Sequence, residues 1–170
     1  MTGSGDKEKK EVDIFRDTPV RLLGYTNEVG ESFRSQMHVK WVWASYVVAS
    51  AYVVADTIDK SWKAYAKPAK GSATRGTTVT HTAIDTLLWQ GLASVIVPGF
   101  TINRLCALTQ FVMKTGFKSA PPGVMRWAPT VIGLGAIPFI VKPIDHSVDW
   151  VLDRTVRPKL SGIRNDSVKS

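Results

Sequence analysis

Long uncharged stretches alternate with charged connectors along this chain. Fifteen residues, Trp41 to Ala55, separate Lys40 from Asp56, and eighteen, Thr86 to Asn103, separate Asp85 from Arg104. Fifteen more, Trp127 to Val141, lie between Arg126 and Lys142. A helix crosses a ~30 Å hydrocarbon core with roughly 20 apolar residues, and ~17 is the lower bound. Only the second run reaches that bound, and Pro98-Gly99 interrupts it. Trp41, Trp43 and Tyr46 open the first run, with Trp62 and Tyr65 beyond its far end; Trp89 opens the second, and Trp127 and Trp150 bracket the third. Aromatic rings at both ends of apolar segments are the pattern of a membrane interface, because the ring is apolar and its polar tip seeks headgroup water. A soluble bundle whose buried helices end in aromatics produces a similar pattern, so the lengths leave both solvents open.

Around these runs the pattern predicts further helices. Thr18-Pro19 is a helix start, with Thr as cap and Pro at the first position, where its missing N–H costs nothing. Pro19, Leu22, Thr26, Val29 and Phe33 then recur at three- and four-residue steps. They predict an amphipathic helix of four to five turns that lies along a bilayer surface or docks on the other helices, and its polar face, mixed in sign and not Lys/Arg-rich, favours docking. Ser45/Ala49 and Ala51/Ala55 are small-residue pairs at the spacing that lets helices approach closely. Lys67–Thr78 and Lys114–Gly123 read as loops, and Pro98-Gly99 as a helix break. Pro129, Pro138 and Pro143 with Gly133 and Gly135 punctuate the third run, and Asp145–Arg157 reads as a separate closing helix. The domain division is a polar tail over 1–13, one helical membrane domain over 14–160 and a flexible tail over 161–170. The fold class is all-α: three or four short, Pro/Gly-interrupted apolar helices flanked by amphipathic ones.

Composition narrows the function more than the fold. At 170 residues the chain suits one domain, and 21% charged residues are too patterned for general disorder. The net charge of +8 raises nucleic acid as a partner, but the bases are spread over every connector, with no stripe and no interleaved aromatics. The connector from Arg104 to Arg126 is purely basic, and Lys114, Lys118 and Arg126 make it the candidate site for anionic lipid such as cardiolipin. Three crossings would divide Lys and Arg equally between the two faces, so charge gives no orientation. The amino-terminal residues are too acidic for a transit peptide and lack the apolar core of a signal peptide.

Catalytic patterns are missing. His38, His81 and His146 are far apart, Cys106 stands alone in an apolar stretch, and Gly133-Leu134-Gly135 lacks the third glycine of a dinucleotide loop. Neither a metal nor a cofactor is expected, and the enzyme reading rests on nothing specific. Charges at the edges of the runs carry more information, because a charge near the bilayer centre costs ~2.5–3.5 kcal/mol and must stay at the rim or pair. Asp56, Asp59, Asp85, Arg104, Lys142 and Asp145 are such residues. An Arg104 pair with Asp56 or Asp59, across two helices turned back at Pro98, is the specific expectation.

Several strings resemble the mitochondrial fission process protein 1 family of the inner mitochondrial membrane. They are Arg16-Asp17-Thr18, Leu23-Gly24-Tyr25, Asn27-Glu28-Val29-Gly30-Glu31 with Phe33-Arg34, and Ala55-Asp56 with Ile58-Asp59-Lys60. Asp85 with Trp89-Gln90, then Pro98-Gly99-Phe100-Thr101-Ile102-Asn103-Arg104, and Pro143-Ile144-Asp145 with Ser147-Val148-Asp149 complete the set. The resemblance runs from about Phe15 to Arg157, and the PGFTINR string is its most specific part. It implies a multi-pass protein of the inner mitochondrial membrane, without enzymatic activity, that promotes mitochondrial division and keeps that membrane intact. The partners expected of such a chain are the bilayer, inner-membrane or fission-machinery proteins, and a second copy of itself as an open alternative. It carries no catalytic or ligand residues, so the matched positions are structural or interaction candidates: Arg16, Asp17, Glu28, Glu31, Arg34, Asp56, Asp59, Asp85, Gln90, Pro98, Gly99, Asn103, Arg104, Pro143, Asp145 and Asp149. Two rival classes stay open. One is a small solute carrier or channel lined by Gln90, Asn103 and Arg104; the other is a peripheral helical adaptor.

Overall fold

Tryptophan pairs on two of the long helices stand one bilayer apart. In the computed structural model, which describes residues 14–67 and 72–161, Trp41 and Trp62 share α3 (Val39–Ala66) and Trp127 and Trp150 share α6 (Pro122–Thr155). At ~1.5 Å per residue the pairs are roughly 31 and 34 Å apart along their helices, against ~30 Å of hydrocarbon. Between these helices in sequence runs a third long rod. It comprises α4 (Ser72–Gln90), a π-helical segment Gly91–Ile96 and α5 (Val97–Gly116). Three helices, of 28, 42 and 34 residues, are therefore long and apolar enough to cross a membrane, and among the described residues there is no strand. The uncharged runs understate these lengths because each helix continues through charged turns. Asp56 pairs with Lys60 and Asp59 with Lys63, each one turn along α3 and each at 2.8 Å.

Proline acts differently from expectation. The helix does not break at Pro98; it widens just before it, over Gly91–Ile96. A π-turn gives the chain room where the proline ring would meet the carbonyl one turn back. Likewise α6 passes through Pro129, Pro138 and Pro143 without interruption, and the separate closing helix expected from Asp145 is its last three turns. Such prolines are tolerated where neighbouring helices and polar side chains re-satisfy the backbone.

The amino-terminal arm completes the bundle. It consists of α1 (Ile14–Asp17), a 3-10 helix (Pro19–Tyr25) and α2 (Thr26–Ser32). Thr18 caps the 3-10 helix as expected, its hydroxyl accepting from the Val20 N–H at 3.3 Å. The long helices pack α3 on α4 and α5 on α6, and α2 inserts among α3, α5 and α6. The arm runs antiparallel to α6. Arg21 Nη2 meets Asp145 at 3.0 Å, whereas Gln36 and Arg126 exchange two hydrogen bonds, with the Arg126 Nε–H donating to Gln36 at 2.8 Å. Those two anchor points lie about 28 Å apart along α6. The polar tails over 1–13 and most of 161–170 lie outside the described residues.

The arm has its amphipathic faces reversed. Leu22 is 65% exposed and Val29 41%, while Glu28 and Glu31 are 0% and 2% exposed. The apolar stripe expected to dock faces outward, and the polar side faces the other helices. Outward apolar surface continues around the bundle at Val47, Ile58, Phe100, Phe111, Val131 and Phe139. A fold with polar groups inside and apolar groups outside is stable in hydrocarbon and unstable in water. Trp89 also departs from the interface pattern. It is buried with Ala93, Ile144, Val148 and Leu152 in an apolar cluster where the central rod meets α6.

Candidate functional site: a buried polar seam

Small residues let the arm into the bundle. A Cβ on Gly30 would stand 2.8 Å from the Ser45 Cβ of α3, and one on Gly99 of α5 would stand 2.9 Å from Asn27 Nδ2 of the arm. On α6, a Cβ on Gly133 would lie 2.7 Å from Ser32 Oγ and 2.8 Å from Cys106 Sγ. These are closer than side chains pack, so glycine at each place sets the distance between α2 and its three neighbours.

Through these openings the arm presents polar groups to all three. Glu31 accepts from Arg34 Nε and Nη2 at 2.6 Å, from the Tyr46 hydroxyl at 3.0 Å and from Asn103 Nδ2 at 2.8 Å. One carboxylate thus joins the arm, α3 and α5. The Asn27 amide donates to the Val95 carbonyl of the π-helical segment at 3.0 Å, and Thr26 donates to the Ser45 carbonyl at 3.1 Å. Glu28, one turn from Glu31, has neither carboxyl oxygen hydrogen-bonded. Low dielectric strengthens the satisfied group and makes the unsatisfied one costly.

A second cluster lies toward the other end of α3. Asp56, fully buried, receives Lys60 at 2.8 Å and the side-chain amide of Gln90 on the same oxygen. Ser94 donates to Gln90 Oε1 at 2.8 Å. Past the end of α6, Arg157 gathers Asp85 at 2.8 Å, Asp149 at 3.1 Å and Asp153 at 2.7 Å. The hydrogen bond to Asp85, more than the others, raises the Arg157 guanidinium above its ordinary pKa, outweighing burial.

Asp56, Asp59, Asp85, Gln90, Asn103, Asp145 and Asp149 therefore all sit in polar contacts, and Glu31 and Arg34 form the central one. Pro98 and Gly99 are buried where α5 begins. The Pro143 carbonyl accepts from Ser147 at 2.8 Å. Arg16 and Asp17 fall in α1, and their side chains lie outside the described residues. The expected pairing of Arg104 with Asp56 or Asp59 is not formed. Arg104 is exposed on α5 and lies over the Phe100 ring at 5.3 Å, while both aspartates take lysines from their own helix. The chain does not turn back at Pro98, so nothing brings Arg104 toward them. The carrier reading loses its lining with it, since Gln90 and Asn103 are engaged by Asp56 and Glu31. Lys114, Lys118 and Arg126 are exposed together at the α5–α6 turn.

Sequence reasoning missed Asn27, Arg21, Tyr46 and Arg157 as members of these networks. Asn27 stands in the quoted NEVGE string, whereas Tyr46 reads as an interface aromatic and gives no sign that its hydroxyl reaches Glu31. Among the described residues no cluster of three His, Cys, Asp or Glu could hold a metal ion.

Comparison with known proteins agrees with the strings that pointed to a family. The family profile described as Mitochondrial 18 KDa protein (MTP18) matches residues 13–82 and 70–152. A Danio rerio protein named mitochondrial fission process protein 1 is 51% identical over 157 residues, 92% of this chain and 94% of its own. Its Homo sapiens namesake is 52% identical over 147 residues, covering 86% and 87%. That from Caenorhabditis elegans is 48% identical over 145 residues, covering 85% and 87%. No solved structure matches the chain. Relatives this similar over nearly their whole length, together with a profile covering the arm and all three spans, mean that the chain belongs to the mitochondrial 18 kDa protein family.

Proposed function

We propose that this chain is a non-catalytic, multi-pass protein of the inner mitochondrial membrane that promotes mitochondrial fission and helps keep that membrane intact. The observation that carries the reading is the reversed arm: Leu22 and Val29 outside, Glu28 and Glu31 inside. That arrangement fits lipid as the surrounding solvent, and the names of relatives about half identical to the chain support the fission role. Within the seam, Glu31 joins the arm to α3 and α5 rather than facing an open cleft.

The arm also bears on topology. Its two anchors, at Asp145 and Arg126, border the uncharged stretch of α6. Residues 21–36 thus accompany α6 through the apolar layer as a fourth pass. Both ends of the described chain then share one face, and His38 and the α5–α6 turn with Lys114, Lys118 and Arg126 share the other. That basic turn is where anionic lipid or an acidic partner of the fission machinery would meet the protein.

Disruption of the gene with rescue by the intact chain tests the role. Elongated, hyperfused mitochondria that fragment again on re-expression support it, and an unchanged network overturns it. Carbonate extraction with single-cysteine labelling at Ile14 and Gln36, which stand at the two ends of the arm, tests the placement. Release from the membrane refutes the bilayer, and labelling of both sites from one side refutes the fourth pass.

A further inference from the structure

Between the arm and α3 lies an apolar groove of about 630 Å³, walled by Leu22, Val29, Met37, Trp41 and Val48 and floored by Ala44. At its upper end a second hollow of about 400 Å³ shares Trp41 and Ala44 and is bordered by His38 and Lys40. The two form one continuous depression, apolar over most of its length and cationic at one end. From Trp41 to Val48 it runs roughly 10 Å along α3, away from the level of the first tryptophans and into the apolar layer.

The cationic end is uncommitted. The His38 Nδ1 accepts from the Lys40 backbone N–H at 3.2 Å, which leaves its Nε2 as the outward-facing donor. Lys40 is exposed and has no ion-pair partner among the described residues. No acidic side chain lines either hollow. The arm's own carboxylate, Glu31, is already occupied by Arg34, Tyr46 and Asn103.

We propose that this depression is a binding site for an anionic glycerophospholipid, with one acyl chain lying in the groove and the phosphate held by His38 and Lys40. The shape argues for an amphiphile standing along the bilayer normal. A groove receiving a second copy's helix would not need an unpaired cation confined to one end. The site rests on the bilayer placement proposed above, and it differs from the basic α5–α6 turn, which is built from other residues.

The test is native mass spectrometry of the full chain purified in detergent and offered phosphatidylglycerol or phosphatidylcholine. Phosphatidylglycerol should be retained in preference. Lys40→Gln should weaken that retention about fivefold, as expected for one cation at an anionic surface. Ala44→Phe fills the groove from an exposed position and should abolish retention of both lipids, whereas Ala51→Phe, exposed elsewhere on the same helix, should leave it unchanged. Equal retention of the two lipids overturns the proposal. So does full retention by Ala44→Phe, or loss of a dimer in that variant without loss of lipid. The same variants go through carbonate extraction. A chain that stays in the membrane yet fails the lipid test sinks this site alone, and a chain that is released sinks the bilayer placement with it.

Discussion

Glu31 and Asp56 are both removed from solvent, and they are neutralised in opposite ways. Glu31 uses both oxygens and draws donors from the arm, α3 and α5. Asp56 takes its counter-ion from its own helix, one turn away at Lys60, and crosses to α4 only through Gln90; its other oxygen has no hydrogen bond. The first cluster is a tertiary joint, and the second is mostly a local pair with one tie. Removing the first carboxylate would therefore strand donors on several elements, and removing the second would strand donors on two.

Breaking the joint should have the largest effect. Glu31→Ala leaves Arg34, Tyr46 and Asn103 facing one another without an acceptor, and thermal unfolding in detergent should show a loss of about 3–5 kcal/mol. The arm should become sensitive to protease at the same time, which a purely local defect would not cause. Asp56→Asn is the matched test of the other cluster. The amide can still accept from Gln90, and Lys60, already 19% exposed, can extend outward, so the cost should be about 1.5 kcal/mol. Equal losses for the two variants would end the distinction.

The solvent-side network should matter less. Arg157→Ala removes three carboxylate contacts, but its side chain is 32% exposed, and the loss should stay below about 1 kcal/mol and shrink with added salt. Smallest of all, Glu28→Gln should fall within about 0.5 kcal/mol of the native chain, because a carboxyl without donors gains nothing from its charge. Glu31→Gln, one turn away, should not be so tolerated. Both can be read from the same melting curves.

Much of this molecule is legible in its uncharged runs. Trp41 with Trp62 and Trp127 with Trp150 mark two spans directly, and Thr18-Pro19 marks the arm's start. Which face of the arm is buried is not legible, because periodicity reports that two faces differ and not which solvent each one meets. In water Leu22 and Val29 would turn inward; beside lipid they turn out. Arg104 misled for a related reason. Its pairing with Asp56 required a chain reversal at Pro98, and sequence cannot distinguish a proline that ends a helix from one absorbed by a wider turn. The Glu31 joint joins residues 72 positions apart, beyond the reach of any local pattern, although Asn27, Glu28, Gly30 and Glu31 were all present in a matched string.

The widened turn at Gly91–Ile96 reaches well past the proline it accommodates. An extra residue within a helical turn advances everything after it by about 100° around the axis. The central rod is thus two angular phases joined end to end: before the offset Gln90 points at Asp56, and after it Asn103 points at Glu31. A single continuous helix so engages α3 along its first half and the arm along its second, and the six residues between act as its swivel.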